Sequence, residues 1–348
     1  MACVRAEAHG LRLGAQGPGV STALDSKEQA DLFGGPPPDA QIVRPAVPAP
    51  QLLQVAQRLP QHLHLGTSSL SFPGWAGIVY AEQYKVAVLA RHGLRAYAQH
   101  PLLNALNIDS TFYKPQSEEQ LAEQAAEVPA NFRFIVKAYT GLTTAPDTPR
   151  AQQRGIEAVF LDPVYAEQKV ITPLVRGLGS KLGAVLFQFS PLGYRYTRNS
   201  ETFVARLGEF LTALPRGPVY AVELRDPEVL GAQYEDALDA GGAVHCSTVH
   251  ARMPPVDGQV LDSQVPGKNT GPMIIRWMLQ SGDDYESAGA RFAPFNRIIG
   301  PDKLNRSRIL GLVKRGLSSG RDVYVMAANN AEGSAPLTLF ELAMAVAD

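Results

Sequence analysis

The feature that most constrains this chain is an alternation of short apolar segments with longer helical patterns, repeated from residue 62 onward. The apolar segments are rich in β-branched and aromatic residues and are bounded by glycine, proline or aspartate, as strands usually are. The predicted strands are 62–68, 103–112, 132–138, 184–189, 219–224, 243–249, 273–278 and 323–328. Strand–helix units repeated in this way favour an α/β fold in which parallel strands close into a TIM-type (β/α)8 barrel.

The segments between the predicted strands carry helical signals. Ser117 is a candidate N-cap, with Gln120 at the capping-box position three residues later. Further helices are predicted at 201–214, 227–240, 309–317 and 336–346. Segment 252–271 is polar, contains several prolines and glycines and lacks a helical period. The barrel is therefore predicted to be irregular at its sixth helix, where a loop of this length is usually functional or mobile.

The first fifty residues differ in composition from the rest of the 348-residue chain. Glycine, alanine, proline and serine dominate them, and the stretch 35–50 is especially rich in proline. Such a segment favours extended conformations and buries too little apolar surface to fold alone. We therefore predict a disordered arm over 1–50 and a single barrel domain over 51–348.

A short apolar stretch within this arm resembles the peptide by which bacterial DNA polymerases and repair proteins dock onto the sliding clamp. It consists of Gln29, Asp31, Leu32 and Phe33. Leu32 and Phe33 are adjacent anchors for an apolar pocket, and Gln29 can form a hydrogen bond at its rim. The resemblance makes the sliding clamp a candidate partner. The alternative is that Leu32 and Phe33 fold back onto the barrel.

Composition excludes several classes of protein. With 32 basic and 33 acidic side chains, the net charge of −1 excludes a polycationic nucleic-acid coat protein, although a local basic groove remains compatible with it. Two cysteines cannot supply a disulfide framework or a zinc ribbon. No apolar run approaches the roughly 18 residues of a membrane span, and the N-terminus lacks the apolar core of a secretory signal. We therefore expect a cytoplasmic protein with no membrane partner.

Several short motifs at the predicted strand ends carry a family likeness. They are Gly66-Thr67-Ser68, Trp75-x-Gly77, Asp109-Ser110-Thr111-Phe112-Tyr113, Phe134-x-Val136-Lys137-Ala138, Gln188-Phe189-Ser190-Pro191, Glu223-Leu224-Arg225 and Asn329-Asn330. With these motifs in this order, the chain resembles the YecE-like family, also called the family of unknown function 72. The resemblance implies a TIM barrel distantly similar to those of endonuclease IV and xylose isomerase. It brings no established reaction.

The chain resembles a divergent member of this family. Asn107 stands where the family pattern has glutamate, and Asp109 stands where it has asparagine. Met278 replaces a histidine of the pattern in the seventh strand, and Ser69-Leu70 replaces a Gly-Trp pair that follows Gly66-Thr67-Ser68. Residues two apart on a strand face the same side of it. The carboxylate that the family pattern has at position 107 is therefore present on the same face at position 109.

Functional side chains of such barrels come from the carboxyl ends of the strands. This rule selects Glu223 and Asp109 as candidate catalytic residues. The candidate ligand- or phosphate-binding residues are Thr67, Ser68, Tyr113, Lys137, Gln188, Arg225, Arg276 and Asn329. The cations among them suit a phosphate or carboxylate, and either acidic residue can serve as a general base if burial or a neighbouring cation tunes its pKa. The alternative is that these charges pair to close the barrel without catalysis.

No cofactor is evident from the sequence, and no metal site is predicted. A divalent metal is a weaker alternative, because only His250 stands where it could join Asp109 and Glu223 in holding an ion. A trinuclear site of the endonuclease IV type requires several more histidines converging on one end of the barrel.

Two functional hypotheses follow. The first is a DNA replication or repair accessory that binds nucleic acid or a phosphorylated ligand at the C-terminal face of the barrel and docks on the sliding clamp; as an enzyme it would hydrolyse a phosphoester. The alternative is a small-molecule isomerase or hydrolase acting on a sugar or sugar phosphate, or a non-catalytic descendant. A basic stretch near the seventh helix is typical of a solvated face, though such residues also contact nucleic-acid phosphates: Arg306, Arg308, Lys314, Arg315 and Arg321.

Overall fold

The computed structural model describes residues 42–146, 148–152, 156–259, 271–280 and 282–348. Within them, the strands form a closed parallel barrel in which each strand pairs with its sequence neighbours and the last pairs with the first. The strands are β1 (Leu63–Thr67), β2 (Leu103–Ile108), β3 (Arg133–Lys137), β4 (Leu182–Gln188), β5 (Tyr220–Glu223), β6 (Ala243–Val249), β7 (Met273–Trp277) and β8 (Val323–Ala327). Each strand lies within or close to a predicted segment, and the TIM-type α/β fold is confirmed.

Helices surround the barrel on the outside. They are α1 (Pro50–Arg58), α2 (Val86–His92), α3 (Leu94–Tyr97), α4 (Glu118–Ala126), α5 (Thr140–Thr143), α6 (Pro163–Tyr165), α7 (Thr172–Leu178), α8 (Tyr194–Thr197), α9 (Ser200–Ala213), α10 (Ala232–Gly241), α11 (Tyr285–Phe292), α12 (Lys303–Ser318) and α13 (Ala335–Ala347). A π-helical segment, Ala166–Ile171, joins α6 to α7. None of the described helices is both long and apolar enough to cross a membrane.

The predicted helices are present, with one correction. The capping box of α4 is formed in full, because the Ser117 hydroxyl accepts from the Gln120 amide while the Gln120 side chain accepts from the Ser117 amide. The helix predicted at 227–240 is instead divided. Pro227–Val229 forms a 3-10 turn, Leu230 is extended, and the α-helix begins only at Ala232. Proline fits the first turn of either kind of helix, so it did not distinguish them.

The connection between β6 and β7 contains only a 3-10 turn, Val256–Gly258, within its described residues 250–259 and 271–272. Residues 260–270 of the predicted irregular segment lie outside the described part. Gln259 closes the described part onto β6, because its side chain accepts from the Thr248 amide and donates to the Thr248 carbonyl at 2.9 and 2.8 Å.

Most of the predicted arm, including its clamp-like peptide, lies outside the described residues. The final part of it, 42–49, pairs with the segment that follows β1, because the Ala46 amide donates to Val79 O and the Ala81 amide donates to Arg44 O, both at 2.9 Å. Val43 is buried there. This contact places residues 42–49 on the barrel and not in a free arm.

The lumen of the barrel is filled below its carboxyl end. Its apolar layer consists of Ala105, Ile135, Ala184, Leu186, Ala221, Val244, Cys246, Ile274, Tyr324 and Met326. Position 66, at the level of this apolar layer, requires a glycine. A Cβ atom there would lie 2.3 Å from the Ala105 carbonyl oxygen and 2.8 Å from Met326 Cε. The closed lumen leaves the carboxyl ends of the strands as the place where an open site forms.

Candidate functional site

A cavity of about 590 Å³ opens at the carboxyl ends of the strands. Volumes of this size are ordinary for sites that hold small ligands. We call it the mouth cavity, and its polar lining comprises Ser68, Asp109, Tyr113, Lys137, Arg150, Gln188, Arg225, Arg276, Tyr285, Asn329 and Asn330. Side chains alternate along a strand, so a residue two positions beyond a member of the apolar layer also points into the lumen. Such residues at the carboxyl ends of the strands reach the mouth cavity.

The floor of the mouth cavity is a network of buried charges. We call it the mouth cluster and define it as Asp109, Lys137, Glu223, Arg225 and Arg276. Glu223, fully buried at the end of β5, forms ion pairs with Arg225 Nη1 and Arg276 Nη1. Arg276 Nη1 also donates to Gln188 Oε1 at 3.1 Å. The two arginines thus share one carboxylate, which anchors both of them at the base of the cavity.

The electrostatics of the mouth cluster favour the charged form of Glu223. Burial alone would raise its pKa, but Arg225, Arg276 and Lys137 outweigh burial and lower the pKa to about 2. Burial would lower the pKa of Arg276, yet Glu223 and Asp109 raise it above its ordinary value. Because a carboxylate with so low a pKa is a weak proton acceptor, Glu223 is suited to holding cations and poorly suited to general-base catalysis.

Lys137 and Asp109 form the second pair of the cluster. The Lys137 Nζ atom lies 3.2 Å from Asp109 Oδ1, and the side chain of Asn107 also donates to that oxygen. Burial and the neighbouring charge of Arg276 lower the pKa of Lys137, although both carboxylates of the cluster oppose this shift. Asp109 is the more accessible of the two candidate catalytic carboxylates, since 36% of its side chain is exposed while Glu223 is fully buried.

The ring of Phe112 supports the cations on this side of the cavity. Lys137 Nζ lies 5.2 Å from its centroid, and the Arg150 guanidinium lies 5.1 Å from it. Both distances are within the range of cation–π attraction. The ring therefore holds two positive charges near each other at the cavity wall.

Three buried donors at the cavity have no hydrogen-bond partner among the described residues. They are Nε and Nη2 of Arg276 and Nδ2 of Asn329. The amide of Asn329 is fixed in orientation because its Oδ1 accepts from Trp75 Nε1 at 3.2 Å and from the Ala335 amide at 2.8 Å. Leaving a buried donor unpaired costs about 1–3 kcal/mol, so these three donors favour acceptors next to them, which water or a bound group supplies.

The structure brings most of the predicted site residues together. Eight of the predicted residues line the mouth cavity: Ser68, Asp109, Tyr113, Lys137, Gln188, Arg225, Arg276 and Asn329. Thr67 does not line it, because its side chain points to the opposite face of β1 and bonds with the Ser69 carbonyl and the Tyr97 hydroxyl at 2.8 and 2.9 Å. Glu223 lies behind the lining arginines and contacts the cavity only through them.

The strand-end rule missed residues that reach the mouth cavity from elsewhere. Arg150 comes from the long connection that follows β3, and Tyr285 comes from α11. Phe295 enters from the segment after α11. No sequence signal near these residues marks them, whereas Asn330 belongs to the Asn-Asn pair that the family likeness already includes.

The histidine considered as a metal ligand is placed near the cluster. His250 is half-buried, and burial followed by the charge of Arg225 lowers its pKa to about 4. Its Nδ1 atom accepts from the Arg252 amide at 3.2 Å, and its ring lies 6.1 Å from that of Tyr285. Among the described residues, no group of three or more His, Cys, Asp and Glu side chains is arranged to hold a metal ion.

The fold and site together define a closed parallel α/β barrel with a cation-rich cavity at its carboxyl end. The family model described as "Protein of unknown function DUF72" matches residues 64–348, so the chain belongs to this family. It is also similar to the UPF0759 protein YunF of Bacillus subtilis (strain 168), with 31% identity over 124 residues, which span 35% of this chain and 39% of that protein.

Two solved structures share the fold. A DUF72 family protein of Thermotoga maritima MSB8 superposes with a TM-score of 0.51 at 17% identity, covering 82% of this chain and 99% of that one. A DUF72 family protein of Enterococcus faecalis V583 superposes with a TM-score of 0.50 at 18% identity, covering 82% and 95%. At these identities the likeness establishes the barrel and says nothing of substrate.

Proposed function

We propose that the mouth cavity binds a phosphorylated ligand through Lys137, Arg225 and Arg276. The observation that carries this proposal is the pair of unpartnered Arg276 donors, Nε and Nη2, on a fully buried side chain that lines the cavity. A planar guanidinium with two free N–H groups matches two oxygens of a phosphate in a fork-like arrangement. The free Nδ2 of Asn329 is a further donor for the same group.

The charge balance of the cavity supports an anionic ligand. Among the described residues, four cations line it, namely Lys137, Arg150, Arg225 and Arg276. Only two carboxylates face them, Asp109 in the lining and Glu223 behind it. Buried cations that exceed their counter-ions are costly, and a bound phosphate supplies the missing negative charge.

As an enzyme, the protein would hydrolyse a phosphoester with Asp109 as general base. Asp109 lines the cavity, is partly exposed, and lies beside Lys137, so it can reach a water molecule next to a bound phosphate. Glu223 is then a positioning residue that holds Arg225 and Arg276 in place. The general-base role considered for Glu223 from sequence is poorly matched to its burial and low pKa.

Isothermal titration calorimetry of the full chain tests this proposal. The ligands are inorganic phosphate, a mononucleotide, a sugar phosphate and a single-stranded oligonucleotide. We expect a phosphorylated ligand to bind the wild type, and we expect Lys137→Gln to weaken that binding at least tenfold, because a charged contact with the phosphate is lost. The matched control is Lys314→Gln on the exposed face of α12. Equal binding by both variants, or no binding of any of the four ligands by the wild type, would refute the proposal.

A nucleic acid is one form such a ligand can take, and exposed aromatic residues that follow β2 and β4 favour it. Tyr113 is 72% exposed in the cavity lining, and Tyr194, on α8 after β4, is 76% exposed with the Arg198 guanidinium 5.9 Å from its ring. Exposed aromatic rings beside cations suit stacking on bases. Tighter binding of the oligonucleotide than of the mononucleotide, with a steep dependence on salt, would support this form.

Docking on the sliding clamp belongs to the same proposal. The peptide containing Gln29, Asp31, Leu32 and Phe33 provides the contact. An affinity titration of the clamp with the full chain, and with a variant carrying Leu32→Ala and Phe33→Ala, measures it. Binding that the double variant abolishes would support a role in replication or repair, and equal binding or none would remove that role.

The second candidate function is an isomerase or hydrolase of a sugar or sugar phosphate. It is favoured by the shape of the site, since a concave cavity of about 590 Å³ suits a small molecule better than a duplex. In the calorimetric panel, this candidate predicts that the sugar phosphate binds tightest and that lengthening an oligonucleotide adds nothing. Binding without turnover would identify a non-catalytic descendant.

A further inference from the structure

A second cavity, of about 440 Å³, adjoins the mouth cavity. We call it the side cavity. It lies between the carboxyl end of β2 and the helices α2, α3 and α4, and it shares Ser68 and Asp109 with the mouth cavity. A molecule that fills both cavities must therefore pass beside Asp109. The two cavities differ in charge and in the kind of polar group that lines them.

An unpaired acceptor lines the side cavity. The Oδ1 atom of Asn107 is buried and has no hydrogen-bond partner among the described residues, and the whole residue is only 3% exposed. Its other side-chain atom, Nδ2, is already used in donating to Asp109 Oδ1. Because an unpaired buried acceptor is costly, Asn107 Oδ1 favours a donor next to it, which a water molecule or a ligand hydroxyl supplies.

The walls of the side cavity are rich in amides and hydroxyls. Gln124 Nε2 donates to Gln116 Oε1 at 3.3 Å, and Gln116 Nε2 donates to Ser110 Oγ at 3.2 Å. This chain of hydrogen bonds orients the amides toward one another along the wall. Neutral amides and serines of this kind recognise hydroxyl groups, because they can both donate and accept.

The charge of the side cavity is opposite to that of the mouth cavity. Its described lining contains Asp109, Glu123 and Glu127 against one cation, Arg91. A phosphate group is repelled by these carboxylates and attracted by the cations of the mouth. A ligand with a phosphate at one end and an uncharged remainder therefore binds in one orientation only.

We infer that the side cavity binds the hydroxyl-bearing part of a ligand whose phosphate occupies the mouth cavity. The inference rests on the proposed function and names its substrate class, a phosphate ester of a polyhydroxylated carbon chain. Asp109, which belongs to both cavities, then lies beside the carbon atoms next to the phosphate. Gln116 and Gln124, which line the side cavity and do not line the mouth cavity, determine specificity for the hydroxylated chain.

Calorimetric titration of the full chain with inorganic phosphate, ribose 5-phosphate and 2-deoxyribose 5-phosphate tests the inference. We expect the wild type to bind ribose 5-phosphate at least tenfold more tightly than inorganic phosphate, with the deoxy compound weaker than ribose 5-phosphate. Gln124→Leu should abolish most of this difference while retaining the affinity for inorganic phosphate. Gln116→Leu should do the same, and it serves as the second variant because it removes the neighbouring amide of the side-cavity wall without touching the mouth cluster.

The matched control is Gln233→Leu, an exposed glutamine on α10 far along the chain from the side cavity. The inference is overturned if the wild type binds inorganic phosphate and both sugar phosphates equally, or if either Gln124→Leu or Gln116→Leu keeps the tenfold difference. That result leaves the phosphate site of the mouth cavity intact. Failure of the wild type to bind any of the three ligands instead overturns the proposed function and this inference with it.

Discussion

Two clusters of arginine and glutamate in the described part of this barrel differ in how they use their hydrogen bonds. The mouth cluster lies at the carboxyl ends of the strands around Glu223. The second, which we call the buttress cluster, lies outside β8 and consists of Asp302, Arg306, Glu332 and Glu341. Each cluster centres on a carboxylate with no exposed side-chain surface, Glu223 in one and Glu332 in the other.

The buttress cluster is almost completely satisfied within the protein. Arg306 Nη2 donates to both carboxylate oxygens of Glu332 at 2.8 Å, and its Nη1 donates to Glu341 Oε2 at 3.1 Å. The amide of Asp302 donates to Glu332 Oε1 at 2.7 Å. Of the Arg306 guanidinium, only Nε lacks a partner among the described residues. Such a cluster ties α12 and α13 to the end of β8.

The mouth cluster leaves more of its hydrogen-bonding capacity unused. Only the Nη1 atom of Arg276 forms hydrogen bonds with described residues. Its Nε and Nη2 atoms are unpaired there although the side chain is fully buried. Its cations also outnumber its carboxylates, whereas the buttress cluster has one cation for three carboxylates. A buried ion pair alone therefore does not indicate a binding site. Unpaired donors together with an uncompensated charge beside a cavity favour one.

The largest effect that the comparison predicts is on stability. Arg306→Met leaves Glu332 buried without a cation, so we expect it to lower the free energy of unfolding by about 3–5 kcal/mol. Arg276→Met leaves Glu223 still paired with Arg225, and we expect a smaller loss, roughly 1–3 kcal/mol. Urea denaturation of both variants measures this difference. Equal losses would mean that the two clusters have the same structural role.

The second prediction concerns pH. The folded pKa of Glu223 is about 2, below the ordinary value of 4.5, so its contribution to stability is full above pH 4.5 and is lost as pH falls from 4.5 toward 2. We expect this loss to be about 3 kcal/mol. Comparing urea denaturation at a series of pH values for the wild type and Glu223→Gln isolates it. If the two proteins show the same slope below pH 4.5, Glu223 is not held ionised by the arginines.

The smallest effect is expected at the edge of the buttress cluster. Glu341 is 39% exposed and bonds to Arg306 through one oxygen only. Because partly exposed ion pairs contribute little, we expect Glu341→Gln to lower the free energy of unfolding by less than about 1 kcal/mol. A loss as large as that of Arg306→Met would show that the whole cluster, and not its buried pair, carries the stability.

The barrel itself could be predicted from the sequence, because each strand is a short apolar segment bounded by turn residues. Ser117 and Gln120 likewise predict the start of α4, because a capping box is a pattern of residues close together in the sequence. The break before α10 does not follow from Pro227 alone, although Gly231 directly precedes the helix as its N-cap. The segment 42–49 was assigned to the arm from its prolines, although its backbone pairs with the barrel.

The candidate site was predictable where it lies on strands. The rule that functional residues lie at the carboxyl ends of the strands selected Asp109, Lys137 and Arg276, which line the cavity. The same rule selected Thr67, whose side chain points outward from β1. Arg150 reaches the cavity from a long connection and could not be found from spacing. The basic stretch near the seventh helix was also ambiguous, since only the fold reveals that Arg306 is committed to Glu332.

The most direct test of the central claim is the shift in melting temperature that inorganic phosphate produces. A ligand that binds only the folded state raises the free energy of unfolding with the logarithm of the ratio between ligand concentration and Kd. The gain is about 2.7 kcal/mol when the ligand concentration is a hundred times Kd. We expect phosphate to raise the melting temperature of the wild type and of Glu341→Gln by the same few degrees and to leave that of Arg276→Met unchanged. An equal rise in Arg276→Met, or no rise in the wild type, would contradict the central claim.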